Sequence, residues 1–212
     1  MDGGTGTAAG RREQKKSATR AAIRNAALRL AVRDGVENVT LEQIATEADI
    51  ALRTFFNYFS SKEEAVVASA AGDFHRLVAA FRARPREESV LRALREAALL
   101  TLDRAAADDR DHVVALRVIR GQRSLVPQLL AALAAQEEVL ADAIAERLDP
   151  PAAASVYPRL CATTALAGMR VALDRWLGGS AVPAFADLRT ELDRVFAQLA
   201  AGLDRPGVPE GA

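Results

Sequence analysis

Residues 40–66, TLEQIATEADIALRTFFNYFSSKEEAV, contain several helix signals in close succession. Thr40 and Gln43 have the spacing of a capping box, in which the hydroxyl accepts a backbone N–H and the amide reaches back. After a short turn, we predict a third helix that begins near Leu52 and ends before Ser60. Two short helices joined by a tight turn are typical of a helix-turn-helix motif.

Aromatic residues are concentrated in this stretch. The chain has 7 Phe, 2 Tyr and 1 Trp, and four of these ten lie between Phe55 and Phe59. Phe55 and Phe59 are four residues apart, so they share a helix face and are expected to pack in the core. The opposite face is expected to carry Arg53, Thr54, Phe56 and Asn57. An arginine can bind guanine, an asparagine can bind adenine, and an apolar side chain can meet a thymine methyl. The alternative is that all four aromatic residues belong to the core of a small helical bundle.

The helix that precedes this motif is strongly basic. We predict it over residues 17–33, with one apolar face that includes Ile23 and Leu30. Between Arg11 and Arg33 there are eight basic residues and one acidic residue, a local charge of +7, although the formal net charge of the chain is zero. A concentrated positive charge of this kind favours a polyanionic partner such as DNA.

The whole chain is expected to be all-α, because Ala, Leu, Arg and Glu dominate and Pro and Gly fall where helices should end. We predict an N-terminal three-helix helix-turn-helix head and a larger C-terminal helical domain. A second capping-box spacing, Ser60-Ser61-Lys62-Glu63, predicts the start of a fourth helix. The predicted later helices cover residues 63–83, 87–107, 111–121, 125–148, 152–178 and 183–203. The expected boundaries are a disordered tail at 1–10, the head at 11–66, the helical domain at 67–204 and a disordered tail at 205–212.

Other classes of function find little support in the composition. Cys161 is the single cysteine, so an internal disulfide framework is excluded, and no apolar run approaches the length of a membrane span. His75 and His112 lie on different predicted helices, and no cluster has the spacing of a metal site. Neither a phosphate-binding glycine loop nor a nucleophile elbow occurs. We therefore expect a cytoplasmic protein with no catalytic residues, no cofactor, no metal and no membrane partner.

The run from Thr40 to Val66 resembles the DNA-binding domain of the TetR family of bacterial transcriptional repressors, and the resemblance extends back to about Lys16. It implies that Thr40 and the start of the fourth helix contact phosphates while the third helix faces the major groove. The DNA-binding residues implied in this way are Thr40, Arg53, Thr54, Phe56, Asn57, Tyr58 and Lys62, together with Arg20 on the basic helix. Two positions depart from the family pattern. Asp49 replaces the usual turn glycine, and Ala51 replaces the usual serine cap, which could cost roughly 0.5–2 kcal/mol.

The last predicted helix carries a regular apolar stripe, and the helix before it is rich in small residues such as Ala165 and Gly168. In the TetR family the last two long helices of each subunit form a four-helix dimer interface. The resemblance therefore implies a homodimer with two reading heads for a roughly palindromic operator. The candidate interface residues are Leu188, Leu192, Val195 and Leu199. The alternative is that this stripe packs on its own subunit.

The C-terminal part also resembles one TetR branch, whose regulators of mycofactocin gene clusters have an acyl-CoA-like ligand-binding domain. The run LRVIRGQRSLVPQLLAALAAQEEVLADAIAERL carries this resemblance, with RLCATTALAGMRVALDRWL further along. It implies an apolar tunnel for an acyl chain and arginines that meet the phosphates of coenzyme A. The candidate ligand-binding residues are Phe74, Phe81, Leu99, Leu102, Arg117, Arg120, Met169 and Trp176. The alternatives are that the apolar members are core and that the arginines pair with neighbouring acids.

These observations predict a ligand-responsive repressor that binds operator DNA as a homodimer and is released by a small hydrophobic or amphipathic effector, such as an acyl-CoA. One alternative is a similar repressor that senses an unrelated apolar compound or antibiotic. A more remote alternative is a helical adaptor whose head binds protein instead of DNA.

Overall fold

The computed structural model describes residues 5–108, 119, 121–178 and 184–203, and no strand occurs among them. The predicted all-α class is therefore confirmed. The α-helices are α1 (Thr5–Asp34), α2 (Leu41–Glu47), α3 (Leu52–Phe55), α4 (Lys62–Val67), α5 (Ala71–Arg82), α6 (Val90–Asp108), α7 (Val126–Ala145), α8 (Pro150–Ala153), α9 (Tyr157–Gly178) and α10 (Phe185–Ala201). Short 3₁₀ turns cover Val36–Asn38, Ala68–Ala70 and Arg123–Leu125.

The chain forms two compact units. The first contains Met1–Gly72 and Arg110–Leu133, and the second contains Asp73–Asp109 and Ala134–Ala212. The first unit thus contains the predicted head and also Arg110–Leu133, a later segment that the sequence patterns assigned to the C-terminal domain.

The core of the first unit is built on the apolar face of α1. Ile23, Ala26 and Ala27 of this face are buried, as the helical spacing predicts, and Phe55 and Phe59 pack in the same cluster. Ile119 and Leu125 also belong to this cluster. Because they lie more than fifty residues after Phe59 in the printed sequence, no local pattern could place them there.

Several helix boundaries differ from those predicted. α1 begins at Thr5 instead of near residue 17, so residues 5–10 of the predicted N-terminal tail are helical. Residues 11–16 are Arg, Glu, Gln and Lys, which favour helix, and no proline interrupts them. The tail predicted at 205–212 lies outside the described residues, as does nearly all of the helix predicted at 111–121.

Two predicted long helices are interrupted. The helix predicted at 63–83 is divided into α4 and α5, and the Ser69 hydroxyl donates to the Val66 carbonyl (2.7 Å) at the break. The helix predicted at 152–178 is divided into α8 and α9, where the Ser155 hydroxyl donates to the Ala152 carbonyl (2.6 Å). In both places a serine side chain offers the backbone a partner that competes with the regular helix bond.

The second unit is organised around the packing of α6, α9 and α10 against one another. Arg95 of α6 pairs with Asp193 of α10 (2.8 Å), and Arg189 of α10 pairs with Asp103 of α6 (2.7 Å). The approach of α9 to α10 is closest at Gly168, where a Cβ atom would lie 2.6 Å from Val195 Cγ1. Among the helices of the described ranges, none has the length and apolar character required to cross a membrane.

We expect Gly168→Ala to destabilise the second unit by about 1–3 kcal/mol, because the added methyl group overpacks the contact with Val195. Chemical denaturation followed by circular dichroism measures this change. Gly178→Ala is the matched control, since a Cβ atom at Gly178 has nothing within 4 Å. Equal unfolding midpoints for the two variants would contradict the close approach of α9 and α10.

Candidate nucleic-acid interface

The start of α2 is fixed by Thr40. Its hydroxyl oxygen accepts the Gln43 N–H (3.2 Å), while its own N–H donates to Gln43 Oε1 (2.8 Å), so the predicted capping box is confirmed. The Thr40 side chain is exposed at the end of the helix. The N–H groups of a helix N-terminus and an exposed hydroxyl beside them can donate hydrogen bonds to a phosphate oxygen.

The turn between α2 and α3 depends on Asp49. Its φ angle is 52°, in the left-handed region, which Asp adopts at lower cost than most residues. The Ile50 N–H then donates to the Ala45 carbonyl (2.9 Å), which closes α2. Asp49 therefore fills the place of the turn glycine, as expected from the sequence.

The next segment begins at Leu52 without a side-chain cap, because Ala51 offers no acceptor. Regular α-helix ends at Phe55, earlier than predicted, and the chain continues in tighter turns. The Asn57 N–H donates to the Thr54 carbonyl (3.1 Å) and the Tyr58 N–H to the Phe55 carbonyl (2.9 Å). We call Leu52–Phe59 the reading segment.

The two faces of the reading segment differ in burial as the sequence predicts. Phe55 and Phe59 are 0% and 2% exposed, and their ring centroids lie 6.0 Å apart. Phe56 is 54% exposed, and Arg53 and Asn57 are exposed beside it. Thr54 and Tyr58 are half-buried. Arg53, Phe56 and Asn57 therefore form one outward surface with a guanidinium, an aromatic ring and an amide.

The start of α4 is one residue later than predicted. Ser61, not Ser60, is the cap: its hydroxyl oxygen accepts the Glu64 N–H (3.1 Å). The Glu64 carboxylate accepts the N–H and the hydroxyl of Ser60, both at 2.7 Å. The Ser-Ser and Glu-Glu pairs allow two registers of the same box, and spacing alone could not choose between them.

The side chain of Lys62 donates hydrogen bonds inside the first unit. Its ammonium donates to the carbonyls of Glu37 (3.1 Å) and Val39 (2.7 Å), which lie in the connection between α1 and α2. Lys62 thus ties the start of α4 to the residues immediately before Thr40. The sequence suggested a phosphate contact, whereas the structure gives the ammonium two main-chain acceptors that no local pattern could reveal.

Arg20 lies against the end of the reading segment. Its guanidinium carbon is 4.8 Å from the centroid of the Phe59 ring, a cation–π geometry. Arg29 is used elsewhere in the first unit, where it donates two hydrogen bonds to Glu47 (3.0 and 3.1 Å). The basic face of α1 therefore contributes both to the packing of the head and to its exposed surface.

The ligand candidates of the second unit are mostly core. Phe74, Phe81, Leu99, Leu102 and Trp176 are buried, and Met169 is half-buried. The Trp176 Nε1–H donates to the Ala184 carbonyl (2.8 Å). Arg117 and Arg120 lie outside the described residues.

Phe81 is covered on one side by a cation. The Arg147 guanidinium carbon lies 5.0 Å from the centroid of the Phe81 ring, and the same group donates to the Arg84 carbonyl (3.0 Å). Beside it, two hydrogen bonds from Arg82 lower the pKa of Glu146. No local pattern indicates the role of Arg147, because its acceptors are carbonyls about sixty residues earlier in the chain.

The predicted dimer stripe faces its own subunit. Leu188 and Leu192 are buried, and Val195 and Leu199 lie where they would meet a Cβ atom at Gly168. The contact with Gly168 lies within one subunit, and the assignment of these four residues to a dimer interface stays a prediction.

Two parts of the chain match known family models. Residues 23–68 match the model of bacterial regulatory proteins of the tetR family, and residues 88–204 match that of the MftR C-terminal domain. The chain belongs to the tetR family. The second match covers more than half of the chain and places it in the branch with an MftR-type C-terminal domain, as the sequence resemblance suggested.

A curated relative and several solved structures are similar to this chain, and the solved structures show the same fold. The HTH-type transcriptional regulator TcmR of Streptomyces glaucescens is 31% identical over 144 residues, which are 65% of this chain and 64% of that protein. The match thus spans less than two thirds of this curated relative. A tetR-family regulator structure from Syntrophomonas wolfei has a TM-score of 0.62 at 19% identity and covers 89% of this chain and 97% of its own. The fatty acid degradation regulator FadR of Bacillus halodurans has a TM-score of 0.56 at 16% identity and covers 85% and 96%.

We expect Lys62→Met to lower the free energy of unfolding of the first unit by roughly 1–3 kcal/mol, because a charged donor to two carbonyls is lost. Chemical denaturation measures the loss, and Lys15→Met, which removes an exposed lysine of α1, is the control. If Lys62→Met unfolds like the wild type, the main-chain tie contributes nothing to stability.

Proposed function

We propose that this protein is a ligand-responsive transcriptional repressor that binds a roughly palindromic operator as a dimer. The observation that carries the proposal is the outward surface of Arg53, Phe56 and Asn57 on the reading segment. An aromatic ring that is more than half exposed between a guanidinium and an amide suits a DNA major groove, where the three groups have distinct base partners. The tetR-family match over residues 23–68 supports this use of the surface.

The second part of the proposal is that the dimer uses the outer faces of α9 and α10. Because Leu188 and Leu192 are already buried, the dimer surface is moved from the predicted stripe to side chains that remain exposed. Leu160 and Val171 of α9 are 55% and 49% exposed, and α10 exposes Ala197. Exposed apolar side chains beside small residues allow two helix pairs to approach closely.

The third part concerns the effector. We propose an amphipathic molecule of the acyl-CoA class, supported by the MftR-type match over residues 88–204. Its acyl chain would lie among the apolar candidates Phe74, Leu99 and Met169 of the second unit. Arg117 and Arg120, which the sequence resemblance assigns to the phosphates, lie outside the described residues. Operator and effector favour different states of the dimer, so each weakens the binding of the other by the same coupling free energy.

Separate alanine substitutions of the neighbouring residues Phe55 and Phe56 distinguish an effect on folding from an effect on DNA binding. Duplexes selected from a random library by the wild-type protein serve as the probe. Phe56→Ala should weaken binding to them at least about tenfold, which corresponds to roughly 1.4 kcal/mol, with little change in stability. Phe55→Ala should destabilise the first unit by roughly 3–5 kcal/mol, because it leaves a cavity in the core.

Electrophoretic mobility and chemical denaturation are measured on both variants. If the Phe56→Ala protein binds the selected duplexes as tightly as the wild type, the outward surface of the reading segment does not contribute to DNA binding through Phe56. Selection of no duplex at all by the wild type would favour the adaptor function.

Titration of the protein–duplex complex with acyl-CoAs of increasing chain length tests the effector. We expect acyl-CoA to release the duplex at micromolar concentrations. Coenzyme A alone has the phosphates without the acyl chain, so a much higher concentration of it should be needed for the same release. The Arg117→Gln and Arg120→Gln variants should need more acyl-CoA for the same release. If no chain length releases the duplex, the acyl-CoA class is wrong. Release by apolar compounds without phosphates would instead favour the alternative effector.

A further inference from the structure

The first part of α1 extends beyond the packed core of the first unit. The helix begins at Thr5, yet the first buried residue along the part with described side chains is Ile23. Every residue from Gly10 to Ala18 is exposed. At 1.5 Å per residue, these positions form about 13 Å of helix with no apolar side chain in the core. Core packing therefore does not explain this part of α1.

The exposed extension carries a regular series of basic residues. Arg12, Lys16 and Arg20 follow one another at intervals of four, so they form one stripe along the helix, and Lys15 lies beside it. Glu13 is the one acidic residue between Arg11 and Arg33. Like charges at a spacing of four residues disfavour a helix, and a polyanion would remove that repulsion.

The stripe starts at the reading segment. Arg20 stacks on Phe59, the last residue of that segment, and from there Lys16 and Arg12 continue away from the core. Arg20 and Arg12 are eight residues apart, or about 12 Å along the helix axis. This length corresponds to between three and four base pairs at about 3.4 Å each, so the stripe can reach beyond the bases that the reading segment meets.

We propose that Arg12, Lys15 and Lys16 form a second DNA contact, which binds backbone phosphates flanking the sequence that the reading segment recognises. The inference rests on the proposed DNA-binding function and extends it. Charge complementarity and the contact of Arg20 with Phe59, at the end of the reading segment, identify duplex DNA as the partner. Because these residues reach phosphates rather than base edges, they add affinity and salt dependence without sequence preference.

The test compares two charge-matched double variants, Lys15→Gln with Lys16→Gln, and Arg92→Gln with Arg104→Gln. The second pair removes two exposed charges from α6, in the other unit. Each protein is titrated with the duplex selected by the wild type, prepared with and without about six flanking base pairs on each side, over a range of salt concentrations.

On the long duplex, the lysine variant should bind at least about tenfold more weakly near 50 mM salt, and its salt slope should fall by about 0.9 for each lost phosphate contact. The α6 variant should match the wild type. On the trimmed duplex, the lysine variant and the wild type should bind alike, because the flanking phosphates are absent.

Equal weakening on the long and the trimmed duplex would overturn the flanking contact, since the lysines would then act at the recognised sequence or through general attraction. An unchanged affinity on the long duplex would also overturn it. Loss of DNA selection by the wild type itself would instead overturn the proposed function, an outcome visible before any variant is made.

Discussion

The reading segment depends on the burial of Phe55 and Phe59. α3 has four residues and no side-chain cap, so it has neither the length nor the terminal hydrogen bond that stabilises a helix in isolation. Two aromatic rings packed on α1 supply the tertiary contacts that its local sequence lacks. With these rings inside, the helical period leaves Arg53, Phe56 and Asn57 outside. The core contact therefore determines both the order and the orientation of the exposed surface.

Around that contact, the first unit is held by polar ties between segments. Lys62 connects α4 to the carbonyls before Thr40, and Arg29 connects α1 to Glu47 of α2. The Arg29–Glu47 pair is exposed, and pairs of this kind contribute little to stability. The half-buried bond from Lys62 to the Val39 carbonyl is worth more, because its loss leaves a carbonyl shielded from water without its partner.

Local chemistry was sufficient to predict what lies within one or two helical turns. The Thr40 capping box, the left-handed Asp49 and the burial of Phe55 and Phe59 all follow from neighbours in the sequence. Contacts between distant segments could not be predicted in this way. Lys62 meets carbonyls more than twenty residues earlier, and Ile119 joins the head from a part of the chain that patterns assigned elsewhere. The spacing of the stripe from Leu188 to Leu199 predicts a packing surface, but periodicity cannot say which helix covers it.

The exposed ring of Phe56 also affects the protein when no DNA is bound. An apolar surface presented to water can associate with the same surface on another copy, which lowers solubility. Arg53 and Asn57 flank the ring and are themselves exposed, so each head presents a hydrated cation and an amide beside its apolar centre. Like charges would meet if two such surfaces approached each other. The cation and the amide beside the exposed ring therefore oppose association of free heads through that ring.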